Sequence, residues 1–264
     1  MKEEGNILKM QAELDKVVRY TLPVGDSLIP LNAHIGEKMR ITFKNRINCI
    51  RCGKVSSKSF NQGFCYSCFI SAPENDPGVF HPELDQAHLG ISRDMEYAKH
   101  YSLVEHSVYL AITSGLKVGV TRSANVLTRW MDQGAVMAMR IAETLYRNLA
   151  GQIEVALKAY YDDKTNWQTM LTKAADTHFD LVAVKSGIIN LLPDDLKPYV
   201  LEENEIVNIT YPITEYPLKV KSHDLDKMPV LEGVLTGIKG QYLLFGSTVI
   251  NIRKYQGYLI LLEI

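Results

Sequence analysis

Apolar and polar residues alternate over residues 38–44, where Met39, Ile41 and Phe43 are interleaved with Lys38, Arg40, Thr42 and Lys44. A period of two puts the first set on one face of a pleated strand and the second on the other, so the pattern predicts a half-buried strand with a basic outer face. Two further alternating runs, SVYLAI and LKVGVTR, flank Ser114-Gly115 and predict a hairpin. Ser123 can cap a helix that continues to Gln133 and ends at Gly134, with Arg129 inside it beside Val126, Leu127 and Trp130. A strand is expected over residues 136–144, and a second helix over residues 146–160 carries Glu154. Thr165 and Gln168 form a capping-box pair for a helix over residues 166–176, and residues 180–192 are apolar, partly helical or extended.

Ahead of these elements, Leu8, Ala12 and Val17 or Val18 lie at roughly helical spacing and predict a helix over residues 6–20. Pro23, Gly25, Pro30 and Gly36 break that pattern, and a strand is expected over residues 27–31. Residues 72–85, with Pro73, Pro77 and Pro82 among four acidic side chains, read as a connecting loop, and residues 94–100 as a short helix. From Ile206 onward, glycines at 233, 237, 240, 246 and 257 punctuate Leu-, Ile-, Val- and Tyr-rich runs, which predicts antiparallel strands in a small barrel or curled sheet. These strands are expected to join those before Cys49, the intervening modules being inserted between them. The fold class is α+β. Residues 1–48 form an N-terminal helix and strands, 49–72 a metal element, 100–192 a central domain and 206–264 a C-terminal β domain.

Composition changes this picture little. The 264 residues are 46% hydrophobic and 22% charged with a formal net charge of −1, which suits a folded chain with a substantial core and no global basic field. No run approaches the roughly 20 apolar residues of a membrane helix, and the start at Met1-Lys2-Glu3-Glu4 has no apolar signal core, so a cytoplasmic protein without membrane contact is expected.

Cysteine usage adds chemistry. All four cysteines, Cys49, Cys52, Cys65 and Cys68, fall in two Cys-x-x-Cys pairs. Four thiolates so spaced can hold one tetrahedral Zn²⁺, with Gly53 and Gly63 supplying turns, whereas a redox dithiol would leave one pair unexplained. A closed set of four leaves no open position, so the zinc is expected to be structural, in a zinc knuckle with a treble-clef-like or ribbon layout. His81, His88, His100 and His106 are not needed for it. Between residues 38 and 58 the chain carries Lys38, Arg40, Lys44, Arg46, Arg51, Lys54 and Lys58 and no carboxylate. Such a cluster can track a phosphate backbone, or it can balance the charge of a tetrathiolate centre. Lys239, Tyr242, Arg253, Lys254 and Tyr255 can combine charge with stacking for a single strand, or lie half-buried in a sheet.

The order of the central elements resembles the GIY-YIG nuclease superfamily. Ser107-Val108-Tyr109 stands where that family has Gly-Ile-Tyr, and Lys117-Val118-Gly119 where it has Tyr-Ile-Gly. Arg122 or Arg129 stands for its arginine, Glu154 in AGQIEVALK for its glutamate, and Asn166 is similar to a late asparagine. The resemblance implies that Glu154 binds Mg²⁺ or Mn²⁺, that the arginine contacts phosphate, that Tyr109 polarises or deprotonates water, and that Lys117 acts as an electrostatic or proton-transfer partner. The longer phrases GFCYSCF, LGISRDMEYA, SGLKVGVTR, RWMDQGA, DKTNW and GIKGQYL resemble a bacterial family of unknown function over most of the chain. A metal-dependent endonuclease acting on DNA or RNA is therefore expected. The alternatives are a degenerate nuclease fold that binds nucleic acid without cutting, and an interaction protein that the zinc merely stabilises.

Overall fold

The computed structural model describes residues 1–172 and 178–264. It divides into two compact units, one built chiefly of Met1–Ile70 and Ile209–Ile264, the other of Ser71–Met170 and the chain beyond the undescribed residues as far as Asn208.

The chain opens with strand β1 (Lys2–Asn6), then β2 (Gln11–Glu13), β3 (Arg19–Val24) and β4 (Ser27–Pro30). The helix expected over residues 6–20 is thus replaced by strands. Leu8 and Val17, on which its apolar stripe rested, are 43% and 39% exposed, while Ile7, Met10 and Tyr20 are buried. Pairing with partners distant in sequence outweighs a weak local period here. Strand β5 (Lys38–Asn48) follows as expected, burying Met39, Ile41 and Phe43 and exposing Lys38, Arg40 and Lys44. Asn45 takes a left-handed conformation (φ 55°) where the register with the last strand is irregular, and Ile47 beyond it is again buried. Strand β6 (Val55–Ser56) pairs with the end of β5, and helix α1 (Tyr66–Ser71) carries Cys68.

In the second unit the stretch read as a connecting loop is a series of tight turns, including helix α2 (Pro77–Phe80) and the 3-10 turn Pro82–Leu84. Helix α3 (Met95–Tyr101) is capped by Asp94, which accepts from Tyr97 N. The hairpin is strand β7 (His106–Ile112) with β8 (Leu116–Arg122). Ser123 does not cap the next helix through its side chain. Its hydroxyl pairs with Ser107 Oγ at 2.8 Å, and a 3-10 turn leads into α4 (Val126–Asp132), which closes at Gly134 with φ 71°. Strand β9 (Met137–Thr144) and helix α5 (Arg147–Lys158) complete the expected series. Helix α6 (Trp167–Thr172) is capped by Asn166, whose Oδ1 accepts from Thr169 N at 3.1 Å, whereas Thr165 Oγ1 pairs with Thr113 Oγ1. The end of the helix expected over residues 166–176 lies outside the described residues. Helix α7 (Leu181–Leu191) and strand β10 (Ile206–Asn208) follow.

The sheet order is β10-β9-β7-β8. Every residue of β7 is buried because it is an inner strand covered on both faces. Val108, Leu110 and Ile112 point into a core with Ile153, Leu157, Leu181 and Ile188, which leaves Ser107, Tyr109 and Ala111 for the opposite face.

The chain then returns to the first unit with β11 (Lys221–Ser222), β12 (Val230–Val234), β13 (Gly237–Lys239), β14 (Tyr242–Phe245), β15 (Thr248–Asn251) and β16 (Tyr258–Glu263). One sheet has the order β1-β16-β5-β12, so the last strand sits between the first strand and the one preceding the cysteines. The expected joining of the two ends of the chain is therefore seen. Separate sheets of order β11-β15-β14-β13 and β2-β3-β4 complete the unit; among the described residues no closed barrel forms. Among the described residues no helix is long and apolar enough to cross a membrane.

Candidate functional site

The first unit holds the cysteine cluster. Cys49 directly follows β5 and is buried, Cys65 precedes α1, and the four Sγ atoms lie within 4.8 Å of one another with no disulfide among them. Tetrahedral coordination with Zn–S of about 2.3 Å requires S···S edges of about 3.8 Å, and Cys52 Sγ to Cys65 Sγ is 3.8 Å. A turn closed by Gly53 N on Cys49 O (2.9 Å), with Gly53 at φ 70°, makes the first knuckle. Although burial opposes ionisation of Cys49, backbone N–H groups of Cys52, Cys65 and Arg51 bring its thiol down to about 6. These residues fit a metal such as zinc. Among the described residues this is the one group of three or more His, Cys, Asp or Glu side chains able to share an ion. His106 is buried, and burial lowers its pKa to about 4.

The basic residues lie on exposed positions of β5 and the knuckle. Carboxylates meet several of them: Arg40 Nε is 3.8 Å from Glu232 and 3.9 Å from Glu263, and Lys44 Nζ is 3.8 Å from Glu4. Lys58 lies over the Phe60 ring at 5.6 Å. Toward the C-terminus the five residues divide: Tyr242 is half-buried in β14, whereas Arg253, Lys254 and Tyr255 lie in the 3-10 turn Ile252–Tyr255, with Lys254 exposed. Lys239 and Tyr255 are buried, Lys239 beside the rings of Tyr211 and Tyr216, and Tyr255 with its hydroxyl donating to His223 O.

In the second unit, residues named by the resemblance come together. Tyr109 on β7 faces Gly119 on β8, and Ala111 faces Lys117. The Tyr109 ring crosses Gly119 so closely that a Cβ there would meet the hydroxyl at 2.6 Å. Tyr109 is 0% exposed and burial raises its pKa. Helix α4 supplies Arg129, which hydrogen-bonds Tyr109. Because a guanidinium only donates, the Gln133 amide turns its oxygen to Arg129 Nε (2.8 Å) and Nη2 (2.9 Å) and its nitrogen to the Tyr109 hydroxyl (2.9 Å). Arg122 lies elsewhere, over the Tyr101 ring at 5.0 Å. Of the two arginines left open by the sequence, Arg129 is the one beside Tyr109.

Lys117 is 5% exposed and donates from Nζ to Asp163 O at 2.7 Å. Burial first, then the Arg129 charge, lower its pKa to about 8 against the pull of Glu154 and Asp163. Glu154 on α5 is 8% exposed; burial raises its carboxyl pKa against the pull of Lys158. Lys158, one turn on, places Nζ 3.4 Å from Glu154 Oε2 and 3.5 Å from Asp163 Oδ2. The carboxylate implied to hold Mg²⁺ or Mn²⁺ is thus already paired with an ammonium, and among the described residues no group of three or more acidic or histidine side chains that could share an ion includes it. As arranged, these residues do not fit a resident divalent ion. Asn166 acts as the cap of α6, as described above.

Sequence reasoning placed Tyr109, Lys117, Arg129 and Glu154 but missed Gln133 and Asp163 as members of the cluster. Gln133 read only as a helix end, and Asp163 as part of a polar loop. The spacing of Glu154 and Lys158 on one helix was the legible trace of their pairing.

The profile of a family described as "Protein of unknown function (DUF2797)" matches residues 36–260. No curated protein and no solved structure matches the chain.

Proposed function

The chain belongs to the DUF2797 family, and we propose that it is a nucleic-acid-binding protein whose second unit carries a GIY-YIG-type endonuclease centre hydrolysing phosphodiester bonds. The observation that carries this reading is the meeting of Tyr109, Arg129 and Lys117, with Glu154 in electrostatic reach of Tyr109 and Lys117, from two adjacent strands and two helices. Arg129, fixed by Tyr109 and Gln133, presents a preorganised positive charge to a phosphate oxygen. Lys117 takes the proton-transfer role that the resemblance gives to Tyr109, whose hydroxyl is buried and held above its ordinary pKa. An amine at about 8 is basic enough to accept a proton from water and neutral in a useful fraction of molecules near pH 8. As it accepts the proton, the water oxygen bonds to phosphorus, the P–O bond to the leaving sugar oxygen breaks, and that oxygen takes up a proton from solvent, to which the Lys117 ammonium later returns its own. The exposed basic face of β5 and the knuckle supplies nucleic-acid affinity, because its ion pairs of 3.8–3.9 Å are weak surface contacts that a phosphate backbone can displace.

One observation favours a second reading, binding without cutting: Lys117 Nζ is already engaged by Asp163 O, and Tyr109 has no exposed surface. Cleavage of labelled single- and double-stranded DNA and RNA by zinc-loaded wild type, Glu154→Ala and Lys117→Met separates the two. Cutting by the wild type, lost by about 100-fold or more in Lys117→Met and rising in rate through about pH 8, supports the nuclease. Salt-sensitive binding without cutting, weakened by Lys44→Glu with Arg46→Glu, supports the binding module. Neither binding nor cutting overturns both and leaves the interaction protein.

A further inference from the structure

The centre in the second unit carries its own cation where its resemblance implies a divalent one. We propose that Lys158 is the resident counter-cation of this centre, filling the place beside Glu154 and Asp163 that a metal ion would take, so that the centre engages phosphate esters without Mg²⁺ or Mn²⁺. The substrate class rests on the nuclease-type reading above; the exclusion of the ion stands on geometry alone.

Lys158 Nζ lies 3.4 Å from Glu154 Oε2 and 3.5 Å from Asp163 Oδ2, on the same helix as the glutamate and one turn beyond it. Asp163 is held in position by its own strand-like segment, since Asp162 O accepts from Val118 N at 2.8 Å and Asp163 O accepts from Lys117 Nζ at 2.7 Å. The ammonium is therefore clamped from a helix on one side and from a segment tied to β8 on the other. Mg²⁺ binds carboxylate oxygen at about 2.1 Å, which would set it against the ammonium unless Lys158 left both partners. Glu83, the remaining carboxylate in electrostatic reach, pairs its Oε1 with His81 Nδ1 at 3.5 Å, while its Oε2 is buried without a hydrogen-bond partner among the described residues.

Charge in the cluster balances without a metal. Lys158, Lys117 and Arg129 stand with the carboxylates of Glu154, Asp163 and Glu83, so three cations meet three anions when all are ionised. A dication added to it would leave a large uncompensated charge in a half-buried place. An ammonium has three donors, and two carboxylate partners leave one for a phosphate oxygen.

Mn²⁺ binding, followed by electron paramagnetic resonance on zinc-loaded protein, tests the exclusion without any activity assay. The expected results are no bound Mn²⁺ in the wild type or in Lys158→Arg, one site gained in Lys158→Met, and its loss when Glu154→Gln is added. A wild type that binds Mn²⁺ and loses it in Glu154→Gln overturns the proposal, as does a folded Lys158→Met that gains no site. The wild-type arm decides even if Lys158→Met does not fold. Affinity for labelled DNA and RNA is then compared with and without Mg²⁺ at constant ionic strength. Wild-type affinity is expected to change less than about twofold, and Lys158→Met to weaken about tenfold without Mg²⁺ and recover with it. Mg²⁺-dependent wild-type affinity overturns the metal-free engagement of phosphate. If no variant binds nucleic acid under any condition, the nuclease-type reading fails while the Mn²⁺ result still decides the place of Lys158.

Discussion

Lys239 is fully buried between the rings of Tyr211 and Tyr216, and burial lowers its pKa from 10.5 to about 8. Its sequence neighbours gave no sign of this: a lysine beside tyrosines in a glycine-punctuated run reads equally well as an exposed stacking surface. The energetic consequence has a definite sign. Between about pH 8 and 10.5 the unfolded chain binds more protons at this site than the folded one, so the contribution to stability rises with pH across that window and the burial penalty is fully present below it. Lys239→Met is expected to raise unfolding stability at pH 7 by about 1–3 kcal/mol, less whatever the cation–π contacts contribute, and to raise it much less at pH 10. Urea unfolding of both proteins at the two pH values checks this. An equal gain at both would show that charge burial is not the cause. Tyr109 carries a similar lesson. Its alternation in β7 was legible, but only the facing Gly119 explains how a tyrosine ring fits on the strand face.

At the level of elements, helix α5 shows how packing turns an unremarkable residue into a constraint. A helix was expected here from the sequence, yet nothing local explains Gly151. A Cβ at this position would meet Glu83 N at 2.3 Å and Pro82 C at 2.5 Å, because the helix lies directly on the turn Pro82–Leu84. The same turn region is held by Asn148 Nδ2 on Glu83 O (2.9 Å) and Asp85 O (3.0 Å), and by Arg147 Nε on Gly78 O (2.7 Å). A proline-rich stretch that reads as a loose connection is therefore fixed by hydrogen bonds from a helix far along the chain. Gly151→Ala gains helix propensity but meets backbone that cannot rotate away. A net loss of about 1–3 kcal/mol is expected, visible as a lower denaturation midpoint with zinc content unchanged, and a neutral or stabilised variant would contradict this packing. The N-terminal region shows the reverse case. A weak helical stripe was present, but strand partners supplied from the other end of the chain decided its structure.

At the scale of the whole molecule, the first unit is assembled from both ends of the chain. Strand β16 pairs with β1 on one side and β5 on the other, for example Gly5 with Ile260 and Ile260 with Phe43. Removing residues 258–264 exposes two strand edges and opens the buried face formed by Ile41, Phe43 and Ile260. Hydrogen exchange in the truncated chain should then show lost protection throughout β1 and β5, whereas β7 to β9 of the second unit, whose sheet pairs contain no residue of the first, should keep theirs. Uniform loss across both units would mean that they do not unfold separately.

The sequence by itself determined what depends on short spacing. The paired cysteines, the alternation in β5, the central hairpin, and the helices carrying Arg129 and Glu154 all follow from interactions among residues a few positions apart. Tertiary structure decided what depends on partners distant in sequence. It replaced the first helix with strands, separated Arg122 from Arg129, buried Lys239, and brought Asp163 to Lys117 and Lys158. Periodicity says which face of an element is apolar, but not which other element covers it. Burial and charge pairing, which set the chemistry of the site, arise only once that covering element is in place.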